Sequence, residues 1–179
     1  MIIMIGGAPC SGKSTLTKKV ISGLGSAVNV EPMKLFNCQK HKDILVVGRY
    51  PEDETFGGTD RLSYGTIKKF REFITQEYDK WRHIIVEGDR FFRAVDIEWL
   101  VSKHDAKVFV LQVDLDEENK RHKQRQDEQN ETWLKGRRSQ ISNILTNLSL
   151  MGQIEVRLNN TERQGNSLKK EVMEIINGK

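Results

Sequence analysis

Near the start of the chain, Gly7-Ala8-Pro9-Cys10-Ser11-Gly12-Lys13-Ser14 fits the pattern GxxxxGK[ST] at every fixed position. Each fixed residue type answers a need of phosphate binding. Glycines let the backbone curl until successive N–H groups point inward at anionic oxygens, and a helix starting there adds the positive end of its dipole. Lys13 supplies a mobile positive charge for β- and γ-phosphates, and Ser14 a hydroxyl for Mg²⁺. The expected contacts to ATP, or to another nucleoside triphosphate, run from Gly7 through Ser14 to Thr15. Glycines 6, 7 and 12 have the wrong spacing for the dinucleotide pattern GxGxxG.

Phosphoryl transfer also needs an acceptor held in line and a group to take its proton. The acidic candidates are Glu31, Asp60, Glu87 and Asp89. Glu87 ends an apolar run and is placed to hold Mg²⁺ through water, or alternatively to serve as a cap or ion-pair partner. Asp60 lies in the glycine-opened run Gly57-Gly58-Thr59-Asp60-Arg61-Leu62-Ser63, where an ordinary helix N-cap region is the competing explanation. Residues 115–140 carry Arg121, Arg125, Arg137 and Arg138, suited to a lid that brings positive charge onto a transferring phosphoryl group. Catalytic roles are expected of Lys13, Asp60, Arg121 and Arg137. The alternative for the arginines is a solvated helix face supported by Glu117, Glu118, Asp127, Glu128 and Glu131.

These groups need strands that end beside the loop and helices that cover them. Residues 1–6 and 44–47 are apolar runs, which suits parallel strands buried on both faces; His83–Gly88 reads as a strand with a turn and Lys107–Leu111 as the next strand. Ala27–Val30 and Ile154–Val156 read as shorter strands, and residues 31–42 are ambiguous. Helical spacing joins Leu16, Val20, Ile21 and Leu24, then Ile67, Phe70, Ile74, Tyr78 and Trp81. It recurs at Phe92, Val95, Trp99 and Leu100, at Ile141, Ile144, Leu145 and Leu148, and at Leu168, Val172, Ile175 and Ile176. The alternation predicts an α/β fold of the P-loop kinase type. Its expected core is a central parallel five-stranded sheet with helices on both faces and an Arg-rich lid.

A length of 179 residues predicts one domain over 1–179. Hydrophobic content of 37% and charged content of 30% are ordinary for a globular chain. No apolar run approaches the roughly 20 residues of a membrane span, so no membrane partner is expected. The first residues lack a basic leader, which predicts a cytoplasmic protein. The net charge of +4 is weak evidence by itself for an anionic partner. Cys10 and Cys38 lack redox or zinc spacing, and the four histidines lack ligand spacing. Asn119-Lys120-Arg121-His122 lacks the aspartate of a guanine reader, which argues against a GTPase and for a small kinase.

Three runs in order, Gly48-Arg49-Tyr50, Gly58-Thr59-Asp60-Arg61-Leu62-Ser63 and Trp133-Leu134-Lys135-Gly136-Arg137, resemble the bacteriophage 5-hydroxymethyluracil DNA kinases. Those P-loop enzymes phosphorylate the hydroxymethyl group of a modified thymine within DNA, a step toward hypermodified bases. The resemblance implies Asp60 as the base. It also implies that Arg49, Tyr50, Thr59 and Arg61 contact the base or its flanking phosphates. Because a base inside a duplex cannot reach such a site, a flipped base or a single strand is implied. Tyr50, Phe56, Tyr64, Phe91 and Phe92 are then candidates to stack on it, with core packing as the competing role of each. Lys68, Lys69, Arg90, Arg93, Lys120 and Lys123 are candidates to track the DNA backbone. Arg138-Ser139-Gln140 departs from the family pattern. By position alone, Asn160 in Arg157–Glu162 falls where small P-loop kinases pack on adenine. The run Glu87-Gly88-Asp89-Arg90-Phe91 is similar to a stretch of thymidylate kinases, which makes a deoxynucleoside monophosphate kinase the alternative, with Arg90 holding an acceptor phosphate. A non-catalytic nucleotide switch is a further alternative.

Overall fold

The computed structural model describes residues 1–51, 57–125 and 130–178. The expectations for Phe56, Asp127, Glu128 and the Arg125 side chain fall outside the described residues. Among the described residues seven strands form one sheet: β1 (Ile2–Gly7), β2 (Val28–Met33), β3 (Phe36–His41), β4 (Ile44–Val47), β5 (His83–Glu87), β6 (Ala106–Gln112) and β7 (Ile154–Leu158). Their order is β2-β3-β4-β5-β1-β6-β7. From β4 to β7 every pairing is parallel, whereas β2 and β3 are antiparallel to their neighbours.

The sheet therefore has seven strands and is mixed, which corrects the expected five-stranded parallel sheet. The two additional places come from residues 28–41, which fold back as a hairpin onto β4. The start of β2 matches the short strand expected at Ala27–Val30, whereas the signal of the ambiguous run 31–42 is masked by composition. Only alternate positions such as Phe36 and Cys38 are buried, and Pro32 interrupts β2 where its register with β3 shifts. A proline is tolerated there because β2 is the outer strand and needs no second row of donors. The central strands β1, β4 and β5 are buried at every residue, as continuous apolar runs predict.

Helices cover both faces. On one side α1 (Lys13–Ile21) and α6 (Glu162–Asn177) pack Leu16, Val20, Leu168, Val172 and Ile176 against Ile3, Ile5, Ile85 and Phe109. The opposite side receives α2 (Phe70–Glu77), α3 (Ala94–Lys103) and α5 (Glu131–Leu145). There Phe36 stacks on Phe73 with centroids 4.1 Å apart, and Phe70 on Phe91 at 4.4 Å. The stripe expected from Ile67 to Trp81 is regular α-helix only in α2, with 3₁₀ turns at Tyr64–Lys69 and Tyr78–Lys80 on either side. The expected lid region comprises α4 (Leu115–Arg125) and most of α5. Among the described residues no helix is long and apolar enough to cross a membrane.

The strand order matters for the site. β5 lies on one side of β1 and β6 on the other, and the connections leave in opposite directions there. In open α/β sheets the crevice at the carboxyl ends of such strands is where ligands bind. Gly7 and Glu87 are the residues that end β1 and β5.

Candidate functional site

The Gly7–Ser14 loop leaves β1 and turns directly into α1. Its curl requires left-handed backbone at Gly12 (φ 85°), the residue before the helix, and at Cys10 (φ 56°). The Lys13 side chain folds back over the loop, donating hydrogen bonds to the carbonyls of Gly7 (3.0 Å) and Ala8 (2.9 Å). Its ammonium also lies 3.4 Å from the carboxylate of Asp89. Ser11 is fully buried, and its hydroxyl has no partner among the described residues.

Glu87 joins the loop to the acceptor-side segments. Its Oε1 accepts from the Ser14 hydroxyl at 3.0 Å and its Oε2 from the Tyr50 hydroxyl at 2.8 Å. Its backbone carbonyl accepts from Thr59 Oγ1 at 2.8 Å. Burial pushes the Glu87 carboxyl up to about 7, and the Asp60 charge adds to this. The Lys13 charge and the bonds from Tyr50 and Ser14 oppose it. Tyr50 is itself raised well above its ordinary value, by burial and then by Glu87, so the phenol keeps its proton and donates.

Asp60 sits in a 3₁₀ turn, Thr59–Arg61, entered through Gly58 at φ 70°. A side chain at Gly58 would run into Glu87 Oε2 and the Tyr50 hydroxyl, so the glycine permits this approach. Asp60 is exposed as a residue, yet its carboxyl is raised by loss of water and by the neighbouring Asp89 charge, against Lys13 and Arg90. Arg90 closes the group. Its Nε donates to the Thr59 carbonyl (2.9 Å) and its Nη2 to the Asp60 carbonyl (2.8 Å). The guanidinium lies 4.4 Å from the centroid of the Tyr64 ring, and that residue is 81% exposed. Arg90 Nη1 is buried without a partner among the described residues.

On the other flank, Arg121 of α4 donates to the Cys10 carbonyl at 3.0 Å and to the Asn159 carbonyl at 2.7 Å, while Glu117 holds its Nε at 2.9 Å. The Asn159 amide donates to the Ser11 carbonyl at 2.8 Å. A cavity of about 390 Å³ opens between α1, Arg121 and the start of α6, lined by Gly12, Thr15, Lys19, Asn159 and Thr161 among others. Neither comparison adds to this picture. No protein-family model and no curated protein matches the chain.

The expected residues therefore divide. Lys13, Ser14, Asp60, Glu87, Arg90 and Arg121 converge on the crevice. Others hold the scaffold. The Tyr50 ring packs in the core and its hydroxyl holds Glu87, so stacking on a base is not its role. Thr59 is buried and occupied with the Glu87 carbonyl. Phe91 and Phe92 are fully buried core residues. Arg49 is exposed and donates to Asn37 Oδ1 on β3 at 2.9 Å, and Arg61 is exposed at the end of its turn. Arg137 bonds Gln140 at 2.9 Å and lies over the Trp133 ring, and Arg138 pairs with the buried Glu118 at 2.9 Å. Asn160 Oδ1 caps the Asp114 N–H at 2.9 Å, so its neighbour Asn159 is the residue that reaches the loop. Glu31 Oε1 accepts from Leu35 N at 2.7 Å in the β2–β3 turn, three strands from β5, which removes it as a base.

For Mg²⁺, the fit rests on the donor set. The Ser14 hydroxyl and the Glu87 carboxylate put two hard oxygens side by side next to Lys13. Among the described residues no cluster of three His, Cys, Asp or Glu side chains is arranged to hold a metal. The Ser14–Glu87 pair suits an ion that keeps most of its waters and takes phosphate oxygens.

Proposed function

We propose that the protein is an ATP-dependent kinase of the P-loop class that phosphorylates the hydroxymethyl group of 5-hydroxymethyluracil in DNA. The observation that carries the reading is the 3.4 Å contact between Lys13 and Asp89, which brings the loop lysine against the Asp60–Asp89 carboxylate pair. Donor-side and acceptor-side groups thereby share one crevice. When nucleotide enters, its phosphates replace the carbonyls of Gly7 and Ala8 and the Asp89 carboxylate as partners of Lys13. Ser14 and Glu87 would hold Mg²⁺, the latter through water, and the ion when bound offsets phosphate charge.

Asp60 takes the proton of the acceptor hydroxyl, whose oxygen bonds to the γ-phosphorus as the bond to the bridging oxygen breaks and ADP leaves. Its raised pKa makes it a better proton acceptor than an ordinary surface carboxylate. Arg121 spans the loop and the 159–161 segment and supplies charge on the donor side. On the acceptor side, the exposed Tyr64 ring backed by Arg90 suits the face of an extruded base. The resemblance in Gly58–Ser63 supports 5-hydroxymethyluracil as that base.

A second reading, a deoxynucleoside monophosphate kinase, draws on Arg90 Nη1, a buried donor with no partner among the described residues that suits an acceptor phosphate. The test of the chemistry compares single-turnover transfer from ATP in Lys13→Ala, Asp60→Asn and Asp89→Asn. The proposal expects near-complete loss in the first two and a smaller loss in the third. Near-normal turnover in Asp60→Asn would move the base role to another carboxylate.

A further inference from the structure

β7 ends the sheet, with β6 as its only strand partner among the described residues. Its five residues, Ile154-Glu155-Val156-Arg157-Leu158, alternate in character. Register with β6 puts Ile154 and Val156 beside Val108 and Val110, on the α3–α5 face. Glu155 and Arg157 point to the α6 face, where Arg157 bonds Glu171 at 2.6 Å and Glu155 bonds Lys107 at 2.9 Å. Arg157 and Glu155 also pair with each other. The apolar side of this edge is open. Val156 is 42% and Leu158 54% exposed, and the turn leading into β7 adds Leu148 and Met151, both largely exposed.

Outer strands present unpaired backbone groups, and charged residues on them ordinarily discourage pairing with another chain. Here the charges are self-complementary about Val156. In an antiparallel pairing of two copies centred on Val156, Glu155 faces the partner's Arg157 and Arg157 faces the partner's Glu155. Ile154 then faces the partner's Leu158, and Val156 faces itself. Opposite charges alternate both along and across the strands, which is the favourable arrangement for cross-strand pairs. Sliding the strands by one pair in one direction sets Glu155 against the partner's Glu155. Sliding the other way sets Arg157 against the partner's Arg157. Offsets between these turn the charged face of one strand toward the apolar face of the other. A single register is therefore favoured.

We propose that β7 is a self-association edge, through which two copies join their sheets antiparallel across a two-fold axis at Val156. An isologous contact of this kind closes at two copies and leaves no further edge of the same type exposed. The inference is independent of the chemistry at the Gly7–Ser14 loop.

The test uses the position on the axis. Val156 is half-exposed, so Val156→Lys and Val156→Glu are each compatible with the fold, which circular dichroism checks. Sedimentation velocity of the unaltered protein at tens of micromolar should show a reversible dimer. Each variant alone places like charges opposite each other and should dimerise at least about tenfold more weakly. An equimolar mixture of the two should recover the dimer, because lysine then faces glutamate. An unaltered chain that stays monomeric overturns the proposal. So does a dimer that both variants preserve, or a pair of variants that stays monomeric when mixed.

Discussion

Replacing Glu87 by glutamine gives a quantitative test of how the centre of the site is built. Burial lifts this carboxyl from its ordinary 4.5 to about 7 even though Tyr50 and Ser14 donate to it and Lys13 is near. At about 1.4 kcal/mol per pH unit, that displacement is worth roughly 3 kcal/mol. The sign follows from proton counting. Between pH 4.5 and about 7 the folded chain keeps a proton on Glu87 that the unfolded chain has released. The Glu87 contribution to stability is therefore fully present below 4.5, is lost as pH rises to about 7, and is level beyond. Glutamine has the same shape and carries no such proton. Urea unfolding of the metal-free protein and of Glu87→Gln, measured side by side across this range, should show the unaltered chain losing roughly 3 kcal/mol relative to the variant between pH 4.5 and about 7, with no further change above it. A difference that stays flat across the window, or that grows in favour of the unaltered chain with rising pH, would refute the burial argument.

Other consequences follow from single contacts. Tyr64→Ala should weaken binding of a single-stranded oligonucleotide by roughly tenfold, with Tyr64→Phe close to unaltered, as fluorescence anisotropy would show. Arg121→Ala should reduce phosphoryl transfer far more than Arg137→Ala, since only Arg121 touches the loop; comparable losses would return Arg137 to the site. Asn159→Ala leaves the Ser11 carbonyl without its amide partner and should lower the unfolding free energy by about 1–3 kcal/mol. Gly58→Ala forces a side chain into left-handed backbone against Glu87 and Tyr50, so loss of activity should accompany a lowered Tm.

The parallel strands were legible because burial on both faces demands unbroken apolar runs, and 2–6, 44–47, 83–86 and 108–111 are such runs. The start of β2 was legible at Ala27–Val30, but the rest of the β2–β3 hairpin was not, because a half-exposed antiparallel strand such as Phe-Asn-Cys-Gln-Lys-His carries only alternate apolar residues, and Pro32 argues against continuing the strand. In the candidate site, the place of Gly7–Ser14 between a strand and a helix was legible because its residue spacing is local. What Tyr50 and Thr59 do could not, since both are directed inward by Glu87, which lies 28 or more positions further along the chain. Asn159 and Asn160 show the limit of positional analogy. One faces the loop and the other caps α4, and only the three-dimensional path of the turn after β7 separates them. Asp89 was legible as a candidate because it follows the glycine after Glu87 and so leaves the same strand end.

The most direct measurement of the central claim follows labelled γ-phosphate from ATP into two acceptors presented in parallel, 5-hydroxymethyluracil within an oligonucleotide and the free mononucleotide. The account predicts label on the hydroxymethyl group of the oligonucleotide base, absent with Lys13→Ala. Label on the mononucleotide alone would contradict the DNA acceptor, and label on neither would contradict phosphoryl transfer to this base altogether.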